Sequence, residues 1–178
     1  MRKVLLLAAA SVALASFVSH SEQGAPVVVA SLTPPKGETL LLRAFAQGVQ
    51  IYECAPAASG TQWAFKGPEA QLSDEKGKHI GKHYAGPTWE AADGSKVAGH
   101  TVASVDSSDP NAIAHLLLKA DSHVGFGVLA GVKSVQRLQT SGGRAPKEAC
   151  DPKDIGRQAR VPYTATYYFY AEAPASGY

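Results

Sequence analysis

The run from Tyr163 to Ala171 constrains this chain more than any other segment. It alternates without a break: Tyr163, Ala165, Tyr167, Phe169 and Ala171 share one face, while Thr164, Thr166, Tyr168 and Tyr170 share the other. Aromatic and β-branched side chains at a period of two make a strand. At that spacing half of the tyrosines point inward, which predicts a packed core with one outer tyrosine pair. The rest of the chain repeats the theme in shorter pieces. Its 178 residues hold 17 glycines and 11 prolines, too many turn-formers for a helical bundle and too few for a disordered tract.

Those turn-formers divide the chain into extended runs. Leu40, Leu42, Ala44 and Ala46 alternate toward one sheet face, and Gly48 predicts a bulge or bend before Val49 and Ile51 resume the pattern. A second strand around Trp63 to Phe65 closes at Gly67-Pro68, and a third, Lys78 to Tyr84, closes at Gly86-Pro87. Asp93-Gly94 between Trp89–Ala92 and Ser95–Val97 is a two-residue hairpin signal. In that register Ala92 faces Ser95 and Glu90 faces Val97. The return strand runs on through Val102 and Val105 to the cluster Asp109-Pro110-Asn111. Ile113 to Ala120 reads equally as strand or buried helix, whereas Gly125, Gly127 and Gly131 around Val128-Leu129 favour strand, continued by Val132 to Thr140. The predicted fold is all-β, a single-domain sandwich or flattened barrel of about eight strands.

The first fifteen residues have the form of an export signal: Arg2 and Lys3, an apolar run from Val4 to Ala15, and Ala13-Leu14-Ala15 as a cleavage signal. The apolar run is shorter than the about 20 residues a membrane-spanning helix needs. Residues 16–36 read as a flexible lead-in, with Val27-Val28-Val29 as a short edge strand, followed by a β domain over 37–173 and a tail over 174–178. The expected location is therefore the periplasm or the extracellular space, with no membrane span. Removing Arg2 and Lys3 with the signal leaves 15 basic and 15 acidic side chains. Such a balance argues against a nucleic-acid partner or a polybasic membrane-surface role. The two cysteines, Cys54 and Cys150, are expected to form one disulfide in an exported protein.

Four segments, GVQIYEC, GKHYAGPTWEAADGSKV, RLQTSGGRAP and VPYTATYYFY, occur in that order. On these the chain from Pro34 to Ala171 resembles an uncharacterised exported family of bacteria and fungi, Domain of Unknown Function three-four-five-five. The resemblance implies a fold and a secreted setting but no activity. Some fungal members carry a malate dehydrogenase label. This sequence has no G-x-G-x-x-G between a strand and a helix, and no βαβ unit, to support it.

The densest group of chemically capable residues is HIGKHYAGPTWEAADGS, which holds His79, His83, Tyr84, Trp89, Glu90 and Asp93. An aromatic plane beside imidazole and carboxylate suits a shallow sugar or small-molecule site. Trp89 would be the stacking platform, with His83, Tyr84, Glu90 and Asp93 as polar partners. The bland alternative makes Trp89 a core anchor and the charges a solvated hairpin face. Histidines offer a second reading: His79, His83, His100 and His123 converging on zinc or copper in a secreted enzyme. On a strand His79 and His83 share a face but lie about 13 Å apart. A serine hydrolase lacks its G-x-S-x-G elbow. The spacing of Glu90 and Asp93 does not establish the carboxylate separation that glycoside hydrolysis requires. Thr140 to Arg144 lacks the lysine and helix of a phosphate loop and reads as a turn. The expected role is thus non-catalytic binding of a small molecule, glycan or envelope component without a cofactor. The metal-dependent enzyme is the rival, and a purely structural envelope protein the third reading.

Overall fold

The computed structural model describes residues 24–174. Eight strands form one antiparallel sheet that closes on itself in chain order. They are β1 (Glu38–Ala57), β2 (Gly60–Ser73), β3 (His79–Tyr84), β4 (Thr88–Ala91), β5 (Lys96–Val105), β6 (His115–Val124), β7 (Val132–Gly142) and β8 (Gln158–Glu172). Closure comes from the long β1, which pairs with β2 on one side and β8 on the other. Closing the sheet removes the exposed edges that an open antiparallel sheet would have to protect. The all-β fold and the flattened-barrel architecture expected from the period-two runs are thus present. Among the described residues no helix is long and apolar enough to cross a membrane.

The faces of β8 divide as its alternation requires. Tyr163, Ala165, Tyr167 and Phe169 enter the main core with Trp89, Val97, Leu118 and Val135. Tyr168 and Tyr170 lie on the opposite face and are buried too, because Leu32, Leu117 and Leu138 pack over them. Leu32 belongs to a short 3-10 turn, Ala30–Leu32, in the segment ahead of β1. Its carbonyl accepts from the Gln136 side-chain amide, whose oxygen takes the Tyr170 hydroxyl at 2.6 Å. The expected edge strand at Val27–Val29 is absent. This stretch instead precedes the docked turn, and Val28 packs on the outer cluster.

Several local expectations change for physical reasons. A bulge between Leu40 and Leu42 in the β1–β8 ladder throws Leu40 onto the outer cluster, while Leu42, Ala44 and Ala46 stay with the core. Gly48 is no bulge. It lets β1 cross close to β2, where a Cβ would meet the Glu69 carbonyl oxygen at 2.1 Å. Gly67-Pro68 does not end β2. The register shift opposite Ile51/Tyr52 absorbs Lys66 and the strand continues. Ile113–Ala120 resolves as strand, since β6 begins at His115 after an isolated bridge at Ala112. Residues 125–131, expected as strand, form the loop between β6 and β7, with Gly125 and Gly127 at positive φ.

The β4–β5 hairpin has a different register from the expected one. Gly94 N–H donates to the Ala91 carbonyl and Ala91 N–H to the Ser95 carbonyl, so three residues, not two, make the loop. Only Gly94 has positive φ there. Glu90 therefore faces Lys96, and Trp89 faces Val97. A one-residue slip exchanges the faces of a strand, and this one sends Trp89 inward and Glu90 outward.

The expected disulfide is formed. Cys54 on β1 and Cys150 on the β7–β8 loop are bridged at 2.03 Å.

Candidate functional site

The residues expected to form one site lie in three places. Tyr84 and Glu90 sit on the outer face. The Tyr84 hydroxyl donates to Glu90 at 3.0 Å, and Lys96 and Lys82 approach the same carboxylate at 3.1 and 3.4 Å. Lys96 first, then Tyr84, hold the Glu90 carboxyl below its ordinary range. This is a network of surface partners satisfied by one another.

Asp93 lies at the hairpin tip as a tether. Its carboxylate accepts from the Ser95 hydroxyl at 2.6 Å, the Ser95 N–H at 2.9 Å and the Val128 N–H at 2.8 Å. The Ser95 hydroxyl, ahead of those backbone donors, keeps Asp93 ionised to lower pH than usual. Its bonds pin the β6–β7 loop to the hairpin, and Leu129 beside it is buried in the core. These geometries favour architecture over ligand binding for Tyr84, Glu90 and Asp93.

His83 and Trp89 do come together, inside the barrel. They are cross-strand partners on β3 and β4, with rings stacked at 4.6 Å and an interplanar angle of 10°. Trp89 is 1% exposed and meets Tyr167 and Phe169 edge-on. It is a wall of the core and not an exposed platform. His83 Nδ1 lies 2.9 Å from the Thr88 carbonyl, which fixes the proton on Nδ1.

The other three histidines of the metal reading do not join it. His79 is exposed, His100 pairs with Asp121 at 2.7 Å, and His123 Nε2 lies 2.7 Å from the Val132 carbonyl. Among the described residues no three His, Cys, Asp or Glu side chains are placed to hold a metal ion. The histidine cluster of the rival metal reading is not assembled among the described residues, because strand pairing sends His83 inward and gives His100 and His123 separate partners.

What His83 and Trp89 line is a cavity of about 190 Å³ at one mouth of the barrel. Phe65, Leu116, Leu118 and Tyr167 supply apolar and aromatic wall, and Arg137 enters from β7. A wider hollow of about 500 Å³ adjoins it, sharing Phe65, Leu116 and Arg137 and adding Gln50 and Tyr52. Arg137 pairs with Tyr167 in the β7–β8 ladder. Its Nε and Nη2 both donate to the Ala114 carbonyl, at 3.1 and 2.9 Å. Arg137 and Gln50 are not among the residues the sequence offers for a site, and Tyr167 reads there as core. The available signal was a lone arginine two positions after Val135, on the face that Val135 turns to the core.

Burial controls the titration of this wall. Loss of water pushes the Tyr167 hydroxyl of this wall up, and likewise the Tyr163 hydroxyl in the core outside it, so both stay protonated. The same cause holds His83 down at about 3, with the Thr88 carbonyl opposing and the Arg137 charge assisting. An unfolded histidine titrates near about 6.5, so between there and about pH 3 the unfolded chain binds a proton that the folded chain refuses. Stability contributed by neutral His83 is complete above that window and falls as pH drops through it. The expected slope is about 1.4 kcal/mol per pH unit, or about 2 kcal/mol between pH 7 and pH 5. Urea midpoints at pH 7 and pH 5 for the parent chain and for His83→Phe measure it. The same acid loss in both proteins would assign the effect elsewhere.

A family model described as Protein of unknown function (DUF3455) matches residues 34–171. The chain belongs to that family. No curated protein and no solved structure matches it. The DUF3455 segment runs from just after the Leu32 turn to Ala171 near the end of β8, so it contains every residue of the cavity wall.

Proposed function

We propose that this DUF3455 chain is a non-catalytic binding domain that receives a small, ring-sized molecule in the mouth of its barrel. The observation that carries the reading is the cavity of about 190 Å³ walled by Phe65, Trp89, Leu116, Leu118 and Tyr167. An apolar cavity of about 150 Å³ engineered into another protein takes up benzene, so a single ring with one substituent is the matching size. Concave, largely apolar walls with a few polar groups are the usual form of small-molecule sites. The proposal includes export to the periplasm or beyond, supported by the signal-like residues 1–15 and by a disulfide in the mature domain.

Toluene is the probe. In a Trp63→Phe background Trp89 is the only tryptophan, and its emission reports on the cavity. Saturable change on titration is expected, and its loss when Leu116→Phe fills the wall. Expression with residues 1–15 in place and mass spectrometry of the secreted product tests export in the same preparation. An emission that stays flat in toluene, or responds identically with the cavity filled, would sink the binding reading. A product that retains residues 1–15 would sink the export reading.

A further inference from the structure

The cavity wall holds hydrogen-bonding groups that the rest of the protein leaves without partners. Three of its groups are almost fully buried without a hydrogen-bond partner of ordinary geometry: Trp89 Nε1, the Tyr167 hydroxyl and Gln50 Nε2. A buried donor left unmade costs about 1–3 kcal/mol, and proteins satisfy nearly all of them. Trp89 and Tyr167 belong to the wall of the inner cavity, and Gln50 to that of the adjoining hollow. An indole N–H can only donate, as can the side-chain amide nitrogen of glutamine.

Arg137 adds a charge to the same place. It lies close enough to influence His83, Tyr52, Tyr163 and Tyr167. Its hydrogen bonds to the Ala114 carbonyl orient the guanidinium but leave its charge unbalanced. None of the ion pairs among the described residues involves Arg137. The one carboxylate near the outer hollow, Asp106, is given to Arg144 at 3.0 Å. A partly buried cation without an anion, beside donors without acceptors, is a site completed by a negatively charged acceptor. Arginine is the side chain best shaped to grip a carboxylate with two parallel hydrogen bonds.

Resting on the binding reading above, we propose that the ligand is a small organic carboxylate whose apolar body occupies the inner cavity and whose carboxylate sits on Arg137. Phe65, Leu116 and Leu118 take the body. Tyr167 and Trp89 donate to the head group, and Gln50 reaches it from the outer side.

Benzoate, benzamide and toluene share a ring and differ only in the head group, so their dissociation constants for the Trp63→Phe protein test the assignment. Benzoate is expected to bind at least tenfold more tightly than benzamide. Arg137→Met is expected to remove that preference, bringing benzoate and benzamide to affinities within twofold of each other. The ratio of benzoate to benzamide in the parent protein needs no Arg137 variant, so a folding defect in Arg137→Met does not spoil the test. Equal benzoate and benzamide affinities, or a preference that survives in folded Arg137→Met, would overturn the carboxylate assignment and leave the cavity reading standing. Failure of all three probes, toluene included, would overturn both.

Discussion

Replacing Trp89 by alanine is expected to cost about 3–5 kcal/mol of folding stability, the range for removing a large aromatic side chain from a packed core. Trp89 is 1% exposed and is among the largest fully buried side chains of the described residues. It ties together three strands by ring contacts: His83 on β3 at 4.6 Å, and Tyr167 and Phe169 on β8 at 5.4 and 5.9 Å. Those contacts span the interior, because β3 and β8 are not neighbours in the sheet. Alanine would leave a void joined to the existing cavity, and the His83 imidazole would lose its stacking partner. A domain this size has about 5–15 kcal/mol in total, so the variant should fold only marginally at 25 °C. Urea denaturation in the parent and variant measures the difference. Because Trp89→Phe retains a ring, it should recover much of the loss. A Trp89→Ala midpoint near that of the parent would mean that the barrel interior is not held together through this ring.

The β8 run was legible because its alternation survives intact: no bulge falls between Tyr163 and Phe169 in its pairing with β1. Leu40 was misplaced because its strand breaks phase at a bulge that depends on the partner strand and leaves no mark in β1 itself. The hairpin register slipped because Asp-Gly serves both two- and three-residue loops, and the choice here goes with Asp93 bonding Ser95 and Val128. Val128 is distant in sequence, so local pattern could not reveal that tether. The alternation mattered for function: closeness in sequence grouped Trp89 and Glu90 in one site, whereas neighbours on a strand point to opposite faces, and pairing with Val97 and Lys96 sends Trp89 inward and Glu90 outward. Arg137 was hidden for another reason. Both faces of β7 bury apolar residues, Val135 inward and Leu138 under Leu32, so hydrophobicity alone does not tell which face is inside. The disulfide was legible, since two cysteines leave one intramolecular pairing.

That disulfide should be the other large contributor to stability. The Cys54→Ala/Cys150→Ala double variant is expected to lose about 2–5 kcal/mol. The bridge closes a sequence separation of 96 residues. In the chain-entropy account a loop of about 100 residues restricts the unfolded state by about 4.7 kcal/mol, near the top of that range. The folded state has its own stake in the bridge. Cys150 lies in the long β7–β8 connection, which otherwise rests on the β1–β2 hairpin through a few bonds. Trp63 Nε1 donates to the Glu148 carbonyl at 3.1 Å, and the Thr61 hydroxyl donates to the Cys150 carbonyl. Backbone bonds from Cys54 N–H to Arg157 and from Gly156 N–H to Cys54 hold the far end at 2.9 Å each. Those bonds survive in the double variant, so the closed sheet should persist while the loop opens more often. Hydrogen exchange separates the two contributions. Loss confined to residues 144–157 would mark local loosening, whereas a uniform drop in protection to the new global stability would mark the unfolded-state effect. The entropic account requires the uniform drop. A double variant with unchanged urea midpoint and unchanged exchange would show that strand closure alone holds the barrel.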